Sequence, residues 1–251
     1  AGAVLLCDHA RSGQPMLTTQ VVEAYVEEGA SLDLYSVEET HTANTRFSHL
    51  YVEQQAASRT ALGTITLTNG LTCNRTDVRL LGQGATTSAY GAAIADGHQH
   101  VDNNLLVDHA APGCTSDLLF KYVLDGAAVG AYAGKVLVRE GAQQSLSEQT
   151  NANLCASDEA RAFAQPMLEI YADDVKCNHG STVGKLDESA LFYMRQRGIE
   201  EHEARLLLQH AFVNDVLRRV GIGSLRERLS YLVEMRFRGR LTKCNGCSLC
   251  K

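Results

Sequence analysis

A thiol and an imidazole two residues apart, Cys177 and His179, are the pair in this chain best suited to holding a transition metal. On an extended strand alternate side chains share one face, so the two donors would stand side by side. Thiolate and neutral imidazole suit iron, copper or zinc. Two donors cannot close a tetrahedral site. The pair is therefore either half of a site that another chain completes, or a half-buried cysteine and a surface histidine at the end of a strand.

A second thiol group lies at the tail, where Cys244, Cys247 and Cys250 follow a C-x2-C-x2-C spacing. It is similar to the start of a bacterial ferredoxin cluster run but lacks the C-x3-C-P continuation. Three thiolates need a fourth ligand; the alternative is a thiol-rich tail that merely picks up metal or oxidises. His98 and His100 stand two apart in a stretch of turn residues, where solvated imidazoles are expected. Asp173 and Asp174 are adjacent and would point to opposite faces of a strand, which makes them turn-formers rather than an acid–base pair. No G-x4-G-K-[ST] phosphate loop and no G-x-S-x-G nucleophile elbow occurs, so no ATP site is expected on this chain.

The segments that must position these residues fall into two kinds. From Val4 to about Ile170 the chain repeats runs of four to six β-formers, most of them ending in Gly, Asn or Asp, among them Thr64 to Thr68, Leu118 to Val123 and Lys135 to Val138. Long amphipathic helix patterns are missing there, which excludes an alternating βαβ fold and leaves a sandwich, a barrel or a β-solenoid. Uneven corners, and small residues at the supposed inward positions Ala127, Ala128, Gly130 and Ala131, lean towards the solenoid. The polar run Gln143 to Leu154 reads either as amide ladders along a solenoid edge or as a surface loop. After Gly184 the period becomes helical. Asp187 caps a helix to Arg197 with Gly198 beyond it. A second spans Glu200 to Val220, with Ala204, Leu207, Leu208, Ala211, Phe212 and Leu217 as its apolar stripe, stopped by Gly221 and Gly223. Ser224 and Glu227 form a capping box for a third, with Leu225, Leu229, Leu232 and Val233 on one face. The expected domains are residues 1–180 and 181–251.

Composition narrows the function. Residues 1–200 carry 13 Lys and Arg against 24 Asp and Glu, whereas residues 201–251 carry 10 against 5. An acidic body argues against nucleic acid as its partner, and the basic end suits a charged protein interface or a solvated helix face. No apolar run approaches the ~18 residues of a membrane span, and no signal peptide opens the chain. Eight cysteines spread over 251 residues favour free thiols in a reducing cytoplasm.

Several motifs carry a resemblance. Leu119 to Gly126 (LFKYVLDG), Gly134 to Val136, Ala142 to Asn151 (AQQSLSEQTN), Leu168 to Gly184 and Leu186 to Gly198 (LDESALFYMRQRG) are similar to the core of the SufB/SufD family, with the Tyr171 to Gly180 form closest to its SufD branch. The resemblance covers about residues 100–220. It implies a right-handed parallel β-helix followed by a small C-terminal α-helical domain, and a non-enzymatic role in assembling iron–sulfur clusters. It implies partners: a SufB chain met through the end of the β-helix, and the ATPase SufC held by the helices, with Leu191, Phe192, Leu207, Leu208 and Phe212 as contacts. A homodimer in isolation is the further expectation. It implies a transient cluster or iron shared with SufB and held in part by His179 and Cys177, and reduced flavin at the level of the complex. The N-terminal helical region usual in the family is not visible here, and the cysteine tail is not part of its general pattern. The competing classes are a carbohydrate-active β-helix enzyme and a small electron-transfer module built on the tail.

Overall fold

Two sheets of parallel strands, laid down alternately, make up most of the molecule. The computed structural model describes residues 1–10 and 14–241. One sheet has the order β1 (Gly2–Ala10), β3 (Ser31–Thr40), β5 (Arg59–Thr68), β7 (Thr86–Ala95), β9 (Thr115–Leu124), β11 (Leu146–Cys155), β13 (Lys176–Gly184). The other has β2 (Leu17–Val26), β4 (Thr45–Gln54), β6 (Leu71–Leu80), β8 (His100–His109), β10 (Val129–Val138) and β12 (Arg161–Ile170). Each coil gives one strand to each sheet and pairs in parallel with the coils before and after it. The fold is a parallel β-solenoid followed in the chain by three helices, and the sandwich and barrel alternatives fall away.

Stacking in register turns single residues into columns. Leu32, Thr60, Thr87, Ser116, Ser147 and Cys177 are successive partners in one column, and Leu34, Leu62, Ala89, Leu118, Gln149 and His179 in another. Both columns face the interior, which holds Leu62, Ala89, Leu118, Leu80, Leu105, Phe120 and Val136 in one continuous apolar cluster. Within the first column hydroxyls bond hydroxyls: Thr60 to Thr87 and Ser116 to Ser147, each at 2.8 Å. Charge is also taken inside. Arg46, 2% exposed, donates to Asp8 at 2.6 Å, Asn74 at 2.7 Å and Gln20 at 2.9 Å, so a buried cation is fully paired.

The corners explain why the runs end in glycine. Gly126 has φ +59°, and a Cβ on it would lie 2.9 Å from the backbone of Gly97 in the coil before. Only glycine accepts both the angle and the approach. Of the four small residues expected inside, Ala128 and Gly130 are buried, whereas Ala127 and Ala131 are half-buried. The run Gln143 to Leu154 is neither a surface loop nor an edge ladder: from Leu146 on it is β11, and Ser147, Gln149, Asn151 and Asn153 are all buried. In the turn between β12 and β13, Gln143 Oε1 accepts from Asp174 N.

Residues Ala1–Gly184 and Lys185–Lys251 are two compact units. In the second, α1 (Glu188–Gln196) is capped by Asp187, which accepts from Ser189 N and Ala190 N, and ends before Gly198 at φ +83°. α2 (Glu201–Leu217) is capped by Glu200 and ends three residues before the expected Val220. Its buried side is Ala204, Leu206, Val213, Val216 and Leu217; Leu207 and Ala211 from the expected stripe are exposed. α3 (Gly223–Phe237) starts at Gly223, which was expected to be a stop. Its N-cap is Ile222 with no side-chain cap bond, so the Ser224 and Glu227 box does not form. Arg238 reaches back from the end of α3 to grip both oxygens of Glu203 on α2.

Two stability predictions follow from the interior. A Cβ at position 134 would lie 1.9 Å from Gln149 Nε2 and 2.5 Å from the Tyr132 hydroxyl, so Gly134→Ala should cost about 1–3 kcal/mol in a urea melt. His109 is fully buried, and burial lowers its pKa from 6.5 to about 4 against the opposing pull of Asp108. The unfolded chain therefore takes up a proton that the folded one refuses. Stability should fall as pH drops from about 6.5 to about 4, by up to roughly 3 kcal/mol, and a His109→Gln variant should show a flatter profile.

Candidate metal-ligand pair at the open end of the solenoid

β13 is the last strand of its sheet and β12 the last of the other. Each pairs on one side only, with β11 and β10, so among the described residues their outer edges have no strand partner. Such edges present unpaired N–H and C=O groups and are natural docking places for another chain. The last coil is also where the interior meets solvent. Its inward residues on β12, Ala162, Ala164, Pro166 and Leu168, are half-buried, where their partners on β10 (Gly130, Tyr132, Gly134 and Val136) are buried. Pro166 costs no ladder bond, because an edge strand leaves half its N–H groups free.

Cys177 and His179 sit on this coil, in the two inward columns. Cys177 succeeds the hydroxyl ladder: after Thr60, Thr87, Ser116 and Ser147 the position becomes a thiol. It is half-buried and packs against the core cluster. Burial pushes its pKa up, and a hydrogen bond from the Ser147 backbone works against that. Any cation that binds there must take the thiol in its deprotonated form. His179 succeeds an apolar column that turns polar in the coil below, at Gln149, and it is exposed. The sequence spacing thus puts thiol and imidazole on one face, and the fold turns that face to the open end of the interior.

The donor set stops at two. Among the described residues no group of three or more His, Cys, Asp or Glu side chains is arranged to hold a metal ion. A thiolate and an imidazole fit iron or an iron–sulfur species as half a coordination sphere and no more. On the outer face of β12 Phe163 and Met167 are exposed, as is Tyr171 in the turn that follows. Lys135 and Glu169 form an ion pair beside them, and Tyr171 donates to Glu169 at 2.6 Å.

Other expected site residues lie elsewhere. Cys244, Cys247 and Cys250 fall outside the described residues. His98 is exposed at a corner and His100 opens β8, as turn residues would. On the helices Leu191 is only 3% exposed and offers no surface to a partner; Phe192 and Leu207 are exposed, and Leu208 and Phe212 half-buried. A groove of about 200 Å³ between α2 and α3 is lined by Leu206, Leu207, His210, Glu234, Phe237 and Arg238. No helix among the described residues is long and apolar enough to cross a membrane. What the sequence reading missed was Gln149, whose polar neighbours disguised an inward column as a loop.

Comparison with known proteins agrees with this architecture. The family model for the SUF system FeS cluster assembly SufBD core domain matches residues 1–212. An iron–sulfur cluster assembly SufBD family protein of Mycobacterium leprae is 33% identical over 242 residues, which cover 92% of this chain and 60% of that protein. One from Synechocystis is 31% identical over 237 residues, covering 92% of this chain and 51% of the relative. The iron–sulfur cluster assembly protein SufD of Escherichia coli is 29% identical over 166 residues, 66% of this chain and 39% of SufD. The chain therefore spans between about two-fifths and three-fifths of the length of these relatives. With a family model that covers the whole parallel solenoid and runs on into α2, the chain belongs to the SufB/SufD family of the SUF iron–sulfur cluster assembly system.

Proposed function

We propose that this chain is a non-catalytic subunit of an iron–sulfur cluster assembly scaffold, of the SufD type. Its open coil pairs with a SufB-type chain, and its helical unit engages a SufC-type ATPase. The observation that carries the reading is the pair Cys177 and His179, which stand by register in the two inward columns of the last coil among the described residues. The iron–sulfur cluster is cargo. An open site of one thiolate and one imidazole holds iron weakly, and ligands from the neighbour finish the sphere. Four ligands from one chain would retain what has to be released.

The surroundings support docking at this end. The unpaired edges of β12 and β13 offer main-chain hydrogen bonds, and Phe163, Met167 and Tyr171 give the apolar area that an interface core needs. On the helical unit, exposed Phe192 and Leu207 and the α2–α3 groove are the surfaces for the ATPase. ATP-driven movement of that partner would open or close the shared site as a two-state element. The three-thiol tail and flavin binding have no role in this reading. The cytoplasm is the compartment it requires.

His179→Ala should cut cluster formation on the assembled complex by at least ~10-fold, the scale at which loss of a metal's supporting group is felt. Anaerobic reconstitution with iron and sulfide, followed by visible absorbance, measures it. Co-purification with both partners should be unchanged, since His179 is exposed at the mouth and carries no core packing. Wild-type cluster yield in the variant would remove His179 from the site.

A further inference from the structure

The residue beneath His179 carries an unfinished hydrogen bond. Gln149 is 0% exposed, and its register partner in the next coil is His179. Its amide nitrogen donates to the Tyr132 hydroxyl at 3.0 Å and to the Gly134 carbonyl at 3.0 Å. A backbone carbonyl only accepts, so the nitrogen end of the amide is fixed on that side and the group cannot be turned over. Both of its N–H groups are used. Its oxygen, Oε1, is buried and has no hydrogen-bond partner. A buried acceptor left so costs about 1–3 kcal/mol. The arrangement even depends on a missing side chain, because a Cβ on Gly134 would collide with this amide.

We propose that Gln149 is a positioning residue for His179: Oε1 accepts the N–H of the imidazole and so fixes which ring nitrogen offers its lone pair to the metal. This rests on the ligand role proposed for His179. Adjacent strands are ~4.8 Å apart, so register partners in one inward column lie within reach of a side-chain hydrogen bond. Histidines that bind metals donate their other N–H to an acceptor as a rule, which sets tautomer and ring orientation. Here the acceptor is a neutral amide. It orients the ring without adding the negative charge by which a carboxylate would tighten the metal's hold, as suits cargo meant to leave. The same column explains the change of character at this depth: Leu34, Leu62, Ala89 and Leu118 need no polar partner, and the amide appears only in the coil directly under the imidazole.

The test is anaerobic titration of the full-length protein with ferrous iron alone, read by calorimetry, for the wild type, Gln149→Met, His179→Ala and the double variant. Gln149→Met should weaken iron binding about 10-fold or more, and should cost nothing further once His179 is gone. Equal affinity in Gln149→Met, or the same loss persisting in the His179→Ala background, overturns the proposal while leaving His179 as a ligand. Unchanged binding in His179→Ala overturns the ligand role and the positioning role together. Should Gln149→Met fail to fold, the zinc-loaded wild type with 15N-labelled histidine decides the matter. A His179 ring N–H protected from solvent exchange supports the proposal, and one in fast exchange with water overturns it.

Discussion

Each coil of a parallel solenoid hydrogen-bonds to the coil before it and the coil after it, and the last coil has nothing after it. In this chain that coil is β12 and β13. Backbone pairing that is complete through β10 and β11 stops there, and the interior that is dry at Leu118 and Val136 becomes accessible at Ala164 and His179. A stack with an unsatisfied end is a liability unless something covers it. At that end lie the soft donors Cys177 and His179, the unpaired edges of β12 and β13, and the exposed side chains of Phe163, Met167 and Tyr171.

Register is what converts a spacing into a site. Because the coils stack residue on residue, a column is one chemical choice repeated, and a departure from the repeat stands out. Hydroxyls at Thr60, Thr87, Ser116 and Ser147 bond along their column in pairs, and the thiol of Cys177 takes the next place. Aliphatic side chains at Leu34, Leu62 and Leu118 fill the neighbouring column until it turns to Gln149 and His179. The ligand and positioning roles proposed above for Cys177, His179 and Gln149 would account for the change.

Much of the architecture was legible because it follows from local rules. Short runs of β-formers between glycine corners gave strands of the right kind, Asp187 and Gly198 marked both ends of α1, and Cys177 and His179 were visible as a same-face pair. The failures share a cause. The run Ser147 to Asn153 looks like surface by polarity, yet its amides are inside, their nitrogens donating to Tyr132, Gly134, Phe120 and Thr182 on other strands. Those partners are 15 to 31 residues away in sequence, where no local pattern reaches. α3 starts at Gly223 without a side-chain cap, and α2 buries Val213 and Val216 rather than Leu207, because tertiary burial overrode the capping and stripe signals. Family motifs carried the functional reading further than spacing could, since two donors alone do not distinguish half a site from none.

The central claim is that this chain lends a single imidazole to an iron site finished by its neighbour. The most direct measurement is electron–nuclear double resonance on the assembled complex, with 15N-histidine in this chain only, during reconstitution with iron and sulfide. The account predicts a directly bound 15N coupling on the nascent cluster that disappears in His179→Ala. A cluster that forms with no nitrogen coupling from this chain, or with one that survives the loss of His179, would contradict it.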